Sequence, residues 1–301
     1  MENKSDLRNL PKVINLGCRL NFFESEIIKD ILDSKKINNT IVVNTCAVTN
    51  SAVSKSINEI KKASKKFPNS KIIVTGCASQ IDKTVFSNLP NVSKVVDNKV
   101  KTESNSYISS KKDKVAKYKF PNFNNLVSAR TRATLQIQQG CDHRCTFCVI
   151  PFGRGDAVSL PVAEVNKRLK NIISLGYKEV TFTGVDLTSY GNDIPGKPNL
   201  GNLLKRVLID NPELKRLRLS SIDPAEIDDE LMNLMCYEKR LLPHFHFSIQ
   251  SGDNLILKRM KRRHNRDDVI EICQKIKQER KEVTFGADLI VGFPTENEAH
   301  F

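Results

Sequence analysis

The sequence lacks the features that would place the chain in a membrane or outside the cell. Among its 301 residues, no apolar run approaches the ~20 residues that span a bilayer, which excludes a transmembrane helix. The first ten residues are polar and contain no apolar signal-peptide core. Tryptophan is absent as well. We therefore expect a soluble, cytoplasmic protein that has no membrane partner.

Acidic residues are scarce relative to basic ones. The chain has 34 Asp and Glu against 48 Lys and Arg, which gives a formal net charge of +14. Such an excess suits a polyanionic partner such as nucleic acid. The lysines are scattered over helix faces, where their charge can also do no more than keep the protein solvated. Composition by itself leaves both interpretations open.

Eight cysteines are present, and in a chain without a secretion signal they indicate metal ligands or catalytic thiols before disulfides. The most specific motif is a C-x3-C-x2-C loop, opened by Gly140, that follows a strand candidate at 134–138 and contains Cys141, Cys145 and Cys148. Three thiolates can bind three irons of a four-iron cluster and leave the fourth iron for a small molecule. The alternative is a structural zinc site completed by His143 or a distant cysteine.

Alternation of strands and helices predicts a first domain over residues 1–97. β-Branched runs at 12–16, 40–44, 71–75 and 92–96 are separated by amphipathic helices, which is typical of a parallel sheet covered on both faces. Three cysteines follow the carboxyl ends of the first three strands, namely Cys18, Cys46 and Cys77. Because those ends share one edge of a parallel sheet, we expect these cysteines to meet and hold a second cluster. For any one of them alone, the alternative is a small buried hydrophobe.

The rest of the chain divides into a linker and a second domain. Residues 98–130 are polar and lysine-rich, which predicts a flexible connection, with a basic strip along RNA as the alternative. From residue 131 to residue 301, strand–helix units repeat, which predicts a barrel-type sheet with its site at the carboxyl ends of the strands.

These motifs resemble the radical S-adenosylmethionine (SAM) methylthiotransferases. The loop 139–148 is similar to the superfamily's cluster loop, and segments 16–26, 44–50 and 74–78 resemble the family's N-terminal domain. The resemblance implies an α/β fold, in which an N-terminal parallel α/β sandwich is followed by a partial radical SAM (β/α) barrel. It also implies two 4Fe-4S clusters, one on each set of three cysteines, and S-adenosyl-L-methionine as a cofactor.

The resemblance also implies contacts to SAM from the first part of the barrel. Phe147 would pack beside the adenine, and ordinary core packing is its alternative. Gly184 and Asp186 fall in the loop after the second barrel strand, where the superfamily places backbone acceptors for the methionine amino group. An ordinary turn is the alternative for both.

The resemblance places further SAM-contacting residues at the ends of later strands. Ser221, Ser248 and Gln250 match family positions near the cofactor's ribose and carboxylate, although each could simply satisfy backbone groups at a strand end. The densest basic run, residues 258–263, resembles one in which an arginine reaches toward the cofactor carboxylate, and we assign this role to Arg262.

Segments 44–50 and 219–224 look most like the class that acts on threonylcarbamoyladenosine in tRNA. For this class the resemblance implies transfer of a methylthio group to C2 of N6-threonylcarbamoyladenosine at position 37. A deoxyadenosyl radical would remove the C2 hydrogen, sulfur from the auxiliary cluster would replace it, and a second SAM would supply the methyl group. The alternatives are isopentenyladenosine in tRNA, a ribosomal-protein aspartate, and an inactive, truncated iron–sulfur protein that binds RNA.

The implied partners are a tRNA anticodon stem-loop, positioned through its phosphates, and an electron donor of the flavodoxin or ferredoxin type. We expect a monomer. The family continues with a further strand–helix unit and a small C-terminal RNA-binding β-domain that these 301 residues do not contain. The sequence therefore predicts a fragment or a truncated gene, with an incomplete barrel and an uncovered sheet edge.

Overall fold

The computed structural model describes residues 12–108, 118–121 and 131–300. The chain divides into two units, the first formed by Met1–Leu126 with Val149–Gly155 and the second by Val127–Cys148 with Asp156–Phe301. A short segment directly after Cys148 thus belongs to the first unit. Across the described residues, no helix is both long enough and apolar enough to span a membrane.

A four-stranded parallel sheet lies at the centre of the first unit. Its strands, in sheet order, are β1 (Val13–Asn15), β2 (Thr40–Thr45), β3 (Lys71–Gly76) and β4 (Val92–Val95). Asn15 pairs with Asn44, and Thr45 pairs with Gly76, so the carboxyl ends of β1, β2 and β3 lie side by side. All six residues of β2 are buried, as expected for a central strand covered on both faces.

Short and long helices surround this sheet. Those that the structure describes are α1 (Arg19–Ser34), α2 (Asn50–Lys66), α3 (Cys77–Ile81), α4 (Lys83–Ser87), α5 (Asn105–Ile108) and α6 (Ile150–Arg154). The sequence predicts one helix near residues 81–88, whereas the structure has two. Asp82 leaves helical geometry at φ −130° and ψ 79°, and its carboxylate accepts the N–H of Val85 to cap α4.

The beginning of the predicted linker is part of the packed first unit. Asn98, Val100, Lys101 and Tyr107 are buried, and the Tyr107 hydroxyl donates to the carbonyl of Lys101 at 2.6 Å. The flexible connection therefore does not start at residue 98. Polar composition is misleading here because these polar groups have partners inside the unit. The rest of the predicted linker lies largely outside the described residues.

The second unit is built mainly from parallel strands. Its strands are β5 (Ala133–Gln136), β6 (Gln138–Gln139), β7 (Val158–Ser159), β8 (Glu179–Thr183), β9 (Arg216–Leu219), β10 (His244–Gln250) and β11 (Thr284–Leu289). β5, β8 and β9 form one parallel sheet, and β10 pairs in parallel with β11. Isolated parallel bridges from Leu217 to Leu241 and from Ile222 to Phe247 connect the two sets.

Helices connect successive parallel strands of the second unit. They are α7 (Val162–Ser174), α8 (Leu200–Asp210), α9 (Asp229–Tyr237), α10 (Asn254–Arg259) and α11 (Arg266–Glu279). Parallel strands in chain order, joined through helices, are the arrangement of a (β/α) barrel wall. The predicted fold class, α/β with a parallel N-terminal sheet followed by a barrel-type unit, is confirmed.

Candidate active site

The first candidate site is the loop from Gly140 to Cys148, which follows β6 in the second unit. Gly140 has φ of +72°, a conformation that glycine adopts without strain. The Cys148 N–H donates to the carbonyl of Cys145 at 3.0 Å and closes a tight turn. The three loop cysteines are half-buried. All eight cysteines lie within the described residues, and none of them forms a disulfide.

Neighbouring polar groups hold this loop in place. Arg144 donates to the carbonyl of Cys141 at 2.8 Å. At the other end of the loop, the Thr146 N–H donates to the carbonyl of Met260 at 3.2 Å, and its hydroxyl donates to that of Arg259 at 3.0 Å. The loop is therefore fixed against the end of α10 by bonds that leave the thiols available.

Cys141 has an anionic neighbour. Its Sγ donates to Oδ2 of Asp186 at 3.5 Å. Burial raises the pKa of the Cys141 thiol well above its usual range, and the charges of Asp186 and Cys148 raise it further. A thiol must lose its proton to bind iron, so loading of this site would release a proton at Cys141.

Arg262 is the cation beside the second cysteine of the loop. Its Nη1 lies 3.8 Å from Sγ of Cys145, and its Nη2 donates to the carbonyl of Ser248 at 2.7 Å. Nη2 also lies 3.1 Å from Oδ2 of Asp223. The Nε of Arg262 is buried and has no hydrogen-bond partner in the part of the chain that the structure describes. The structure thus brings Arg262 and the Ser248 backbone to the cysteine loop.

A cluster of ionisable groups surrounds His143. Its Nε2 lies 2.9 Å from Asp186 and 3.3 Å from Glu226, and hydrogen bonds to these two carboxylates raise the pKa of His143 to about 9. Burial would raise the pKa of Glu226, but His143 and Arg263 outweigh it and lower that pKa to about 2. Glu226 could not be predicted as a site residue, because the segment 223–226 has only the pattern of a helix start.

Parts of this cluster have the composition of a metal site. The ligand atoms of Cys141, His143 and Asp186 lie within 4.8 Å of one another, as do those of His143, Asp223 and Glu226. In this structure, Nε2 of His143 faces the carboxylates of Asp186 and Glu226. A single-metal site would also leave two thiols of the loop unused. Three thiols on one loop fit a four-iron cluster better than zinc.

Buried Gln138 connects two loops of the site. Its Oε1 accepts the N–H groups of Val185 at 2.8 Å and Asp186 at 2.9 Å, while its Nε2 donates to the carbonyl of Gly140 at 2.7 Å. A Cβ at Gly184 would lie 2.8 Å from Gln138 Oε1, so glycine is required for this close approach. The sequence does not reveal this role of Gln138, because a glutamine inside a strand pattern has no distinctive signal.

Three other residues predicted to contact SAM occupy less distinctive positions. Phe147 is half-buried within the cysteine loop. The Ser221 hydroxyl lies 3.3 Å from Nδ1 of His246. Gln250, at the end of β10, has φ of +75°, and its carbonyl accepts the N–H of Ile290 at 2.8 Å. Their contacts to SAM stay predictions.

The second candidate site is the carboxyl edge of the sheet in the first unit. Cys46 directly follows β2 and Cys77 directly follows β3, so they lie at the ends of neighbouring strands. Gly17 precedes Cys18 and has φ of +105°. A Cβ at Gly17 would lie only 2.8 Å from Sγ of Cys46, so the backbone before Cys18 contacts Cys46 closely. Cys46 and Cys77 are buried, whereas Cys18 is exposed.

Cys18 and Cys77 both interact electrostatically with Cys46. Burial raises the pKa of Cys46, and the charges of Cys77 and Cys18 raise it further. Asn98 Nδ2 lies 3.7 Å from Sγ of Cys77 and donates to the carbonyl of Gly153 at 2.6 Å. Amide donors to a ligating sulfur are one of the features that tune iron–sulfur clusters. The edge therefore offers three thiols and one such donor.

A buried ionic network lies in the same unit. The Glu24 carboxylate accepts Nη1 and Nη2 of Arg154 at 2.8 and 2.9 Å and lies 2.5 Å from Nζ of Lys101. Burial would raise the pKa of Glu24, but Arg154 and Lys101 outweigh it and lower that pKa. Sequence reasoning missed this network. Glu24 and Arg154 are 130 positions apart, and no local pattern relates them.

Two family models match this chain. Residues 135–301 match the Radical SAM superfamily, and residues 12–97 match the "Uncharacterized protein family UPF0004". The chain is 48% identical to the threonylcarbamoyladenosine tRNA methylthiotransferase MtaB of Rickettsia prowazekii, with 100% of this chain and 73% of that protein aligned. It is 30% identical to the tRNA-2-methylthio-N(6)-dimethylallyladenosine synthase of Erythrobacter litoralis, with 96% of this chain and 70% of that protein aligned.

A solved structure supports the fold alone. The radical S-adenosylmethionine methyltransferase TsrM from Kitasatospora setae superposes with a TM-score of 0.62 at 12% identity, covering 93% of this chain and 62% of that one. The chain belongs to the radical SAM superfamily and, within it, to the methylthiotransferase family of the relatives described above. The predicted enzyme class and the predicted cofactors, S-adenosylmethionine and 4Fe-4S clusters, agree with this membership.

Proposed function

We propose that the chain transfers a methylthio group to C2 of N6-threonylcarbamoyladenosine at position 37 of tRNA. The main observation is that six cysteines form two sets, one at the carboxyl edge of the parallel sheet in the first unit and one on the loop after β6 in the second unit. The 48% identity to a relative named for threonylcarbamoyladenosine supports this substrate. The set Cys141, Cys145 and Cys148 would hold the cluster that acts on SAM. The set Cys18, Cys46 and Cys77 would hold the cluster for sulfur insertion.

When bound, the clusters and SAM supply the electron, the carbon radical, the sulfur and the methyl group. The residues of the chain position these groups. Arg262, held by Asp223 and the Ser248 carbonyl, keeps a positive charge 3.8 Å from Sγ of Cys145 and would attract a carboxylate such as that of methionine. Asp186 Oδ2, at 3.5 Å, is the nearest acceptor for the proton that Cys141 loses.

A second candidate substrate is adenosine that carries a dimethylallyl group. The chain is 30% identical to a relative named for that nucleoside, against 48% for the relative named for threonylcarbamoyladenosine. The difference favours the threonylcarbamoyl substrate, because both relatives are aligned over nearly the whole chain.

The proposed partners follow from a tRNA substrate. The net charge of +14 would hold the anticodon stem-loop through its phosphates, in the cytoplasm. Arginines of the run 258–263 have internal partners: Arg259 donates to Thr295, and Arg263 donates to Asp223 and Glu226. Phosphate contacts from this run would therefore come mainly from its lysines, Lys258 and Lys261. The chain would act as a monomer and receive electrons from a flavodoxin or a ferredoxin.

Nucleoside mass spectrometry of tRNA tests the proposal. Cells without the gene should lose 2-methylthio-threonylcarbamoyladenosine and accumulate its unmodified precursor, and re-expression of the gene should restore the modification. Loss of the methylthio group from dimethylallyladenosine instead would assign the second substrate. A methylthio group lost from a ribosomal-protein aspartate, with tRNA unchanged, would contradict both tRNA assignments.

A further inference from the structure

A chain of polar side chains starts at the first cysteine of the loop in the second unit. Sγ of Cys141 donates to Asp186, whose Oδ2 lies 2.9 Å from Nε2 of His143. The same Nε2 lies 3.3 Å from Oε1 of Glu226. The buried Ser189 hydroxyl lies 2.7 Å from Oδ2 of Asp186 and 3.0 Å from Oε2 of Glu226, within hydrogen-bond distance of both carboxylates. Asp186, His143 and Ser189, named here the Cys141 arm, therefore connect Glu226 to the first thiol.

A second chain of contacts runs from Glu226 to the second cysteine. Arg263 donates through Nη1 to Oε1 of Glu226 at 2.7 Å and through Nη2 to Oδ2 of Asp223 at 2.8 Å. The same Oδ2 lies 3.1 Å from Nη2 of Arg262, whose Nη1 lies 3.8 Å from Sγ of Cys145. Base and acid alternate along Arg263, Asp223 and Arg262, which form the Cys145 arm. Glu226 thus joins two arms that end at two thiols of one loop.

Glu226 reaches both arms because of its place in the fold. It ends the short turn Pro224–Glu226 after β9, and Oδ1 of Asp223 caps this turn by accepting the N–H of Ala225 at 3.1 Å. The side chains of Glu226, Asp223 and Arg262 are 17%, 6% and 8% exposed. At such burial, solvent and salt screen charge-assisted hydrogen bonds only weakly. A displacement of Glu226 would therefore disturb both arms.

We propose that Glu226 is a positioning residue for the binding of SAM, which fixes Arg262 through the Cys145 arm and the cysteine loop through the Cys141 arm. The inference rests on the proposed function, because it requires that the loop holds a cluster and that Arg262 attracts the methionine carboxylate. A cation that is already held in one orientation binds a carboxylate without the entropy cost of ordering a long side chain. Glu226 supplies this order from a position that is one arm away from the ligand.

Calorimetry of SAM with the anaerobically reconstituted full chain tests this role. Glu226→Gln keeps the size of the side chain and removes the charge that Arg263 contacts, so we expect Kd to rise about fivefold. Arg263→Lys should have a similar effect, because one ammonium cannot bridge two carboxylates as the planar guanidinium does. The matched control Glu230→Gln breaks a surface pair with Lys205 in the same unit and should leave Kd unchanged.

A double-mutant cycle separates action through the Cys145 arm from a general loosening of the fold. Arg262→Lys alone should weaken binding about tenfold, and adding Glu226→Gln should weaken it by less than about twofold more, because the residue through which Glu226 acts is already changed. Independent effects would multiply to about fiftyfold.

Hydrogen exchange of the iron-free chains provides a readout that needs neither cluster nor SAM. Glu226→Gln should reduce the protection of peptides that cover residues 141–148 and residues 258–263 together, whereas Glu230→Gln should change neither. Unchanged protection of both peptides in Glu226→Gln would contradict the positioning role.

The remaining outcomes separate this inference from the proposed function. A parent that takes up no iron or binds no SAM would overturn both. A parent that binds SAM with the same Kd as Glu226→Gln and Arg263→Lys, or effects that multiply in the cycle, would overturn the positioning role and leave the proposed function intact. Circular dichroism of the iron-free chains checks folding. If neither Glu226→Gln nor Arg263→Lys folds, Glu226 has a structural role and the proposal is wrong.

Discussion

Replacement of Glu24 by glutamine tests the ionic network of the first unit most severely. The substitution keeps the shape of the side chain and removes the buried carboxylate that Arg154 and Lys101 both contact. Removing one partner of a buried ion pair costs about 3–5 kcal/mol, and repulsion between the two cations adds to this cost. We therefore expect the free energy of unfolding of the first unit to fall by about 4 kcal/mol.

Hydrogen exchange measured by mass spectrometry resolves this loss by segment. Peptides that contain β2 and β3 should lose protection by roughly a thousandfold, since every 1.4 kcal/mol is about tenfold. Peptides from α7 and β8 should be unchanged. The control Glu59→Gln breaks the exposed pair with Lys62 on α2 and should cost less than about 0.5 kcal/mol. A Glu24→Gln loss of less than about 1 kcal/mol would refute the reasoning.

The other predictions concern chemistry and pH. Cys145→Ala should abolish formation of 5′-deoxyadenosine from SAM, whereas Cys46→Ala should spare it and stop sulfur insertion. Equal loss of 5′-deoxyadenosine in both variants would contradict separate roles. Arg262→Lys should weaken SAM binding about tenfold in calorimetry, since lysine lacks the planar guanidinium that can contact Asp223 and a ligand together. An unchanged Kd would argue against a contact between Arg262 and SAM. The pKa of Glu24 is lowered from 4.5 in the folded chain, so the ionised carboxylate stabilises the fold fully above pH 4.5. This stabilisation is lost as the pH falls through the pKa that Glu24 has in the folded chain. Acid titration followed by circular dichroism should therefore destabilise the parent more than Glu24→Gln.

Residues that directly follow buried strands could be placed from the sequence. Cys46 and Cys77 each follow a β-branched run, and parallel strands bring such positions to one edge. The loop motif of Cys141, Cys145 and Cys148 is local, so its spacing alone indicates which thiols would bind a cluster. In both cases the signal is confined to one strand–loop unit and needs no knowledge of distant partners.

Long-range polar contacts could not be predicted in this way. Arg154 and Glu24 are 130 positions apart, and Lys101 lies in a segment whose composition resembles a linker. Gln138 connects two loops from inside a strand. Polar groups of this kind can be buried only because tertiary packing provides their hydrogen-bond partners. From composition alone, such residues are expected at the surface.

Iron analysis of full-length chains after anaerobic reconstitution tests the central claim, which is that the six cysteines form two independent cluster sites. The parent should bind about eight irons, and alanine replacement of either set of three cysteines should leave about four. Of the two triple variants, only the one with Cys18, Cys46 and Cys77 replaced should still cleave SAM. If either triple variant binds as much iron as the parent, or if each loses all of its iron, the two-site account is wrong.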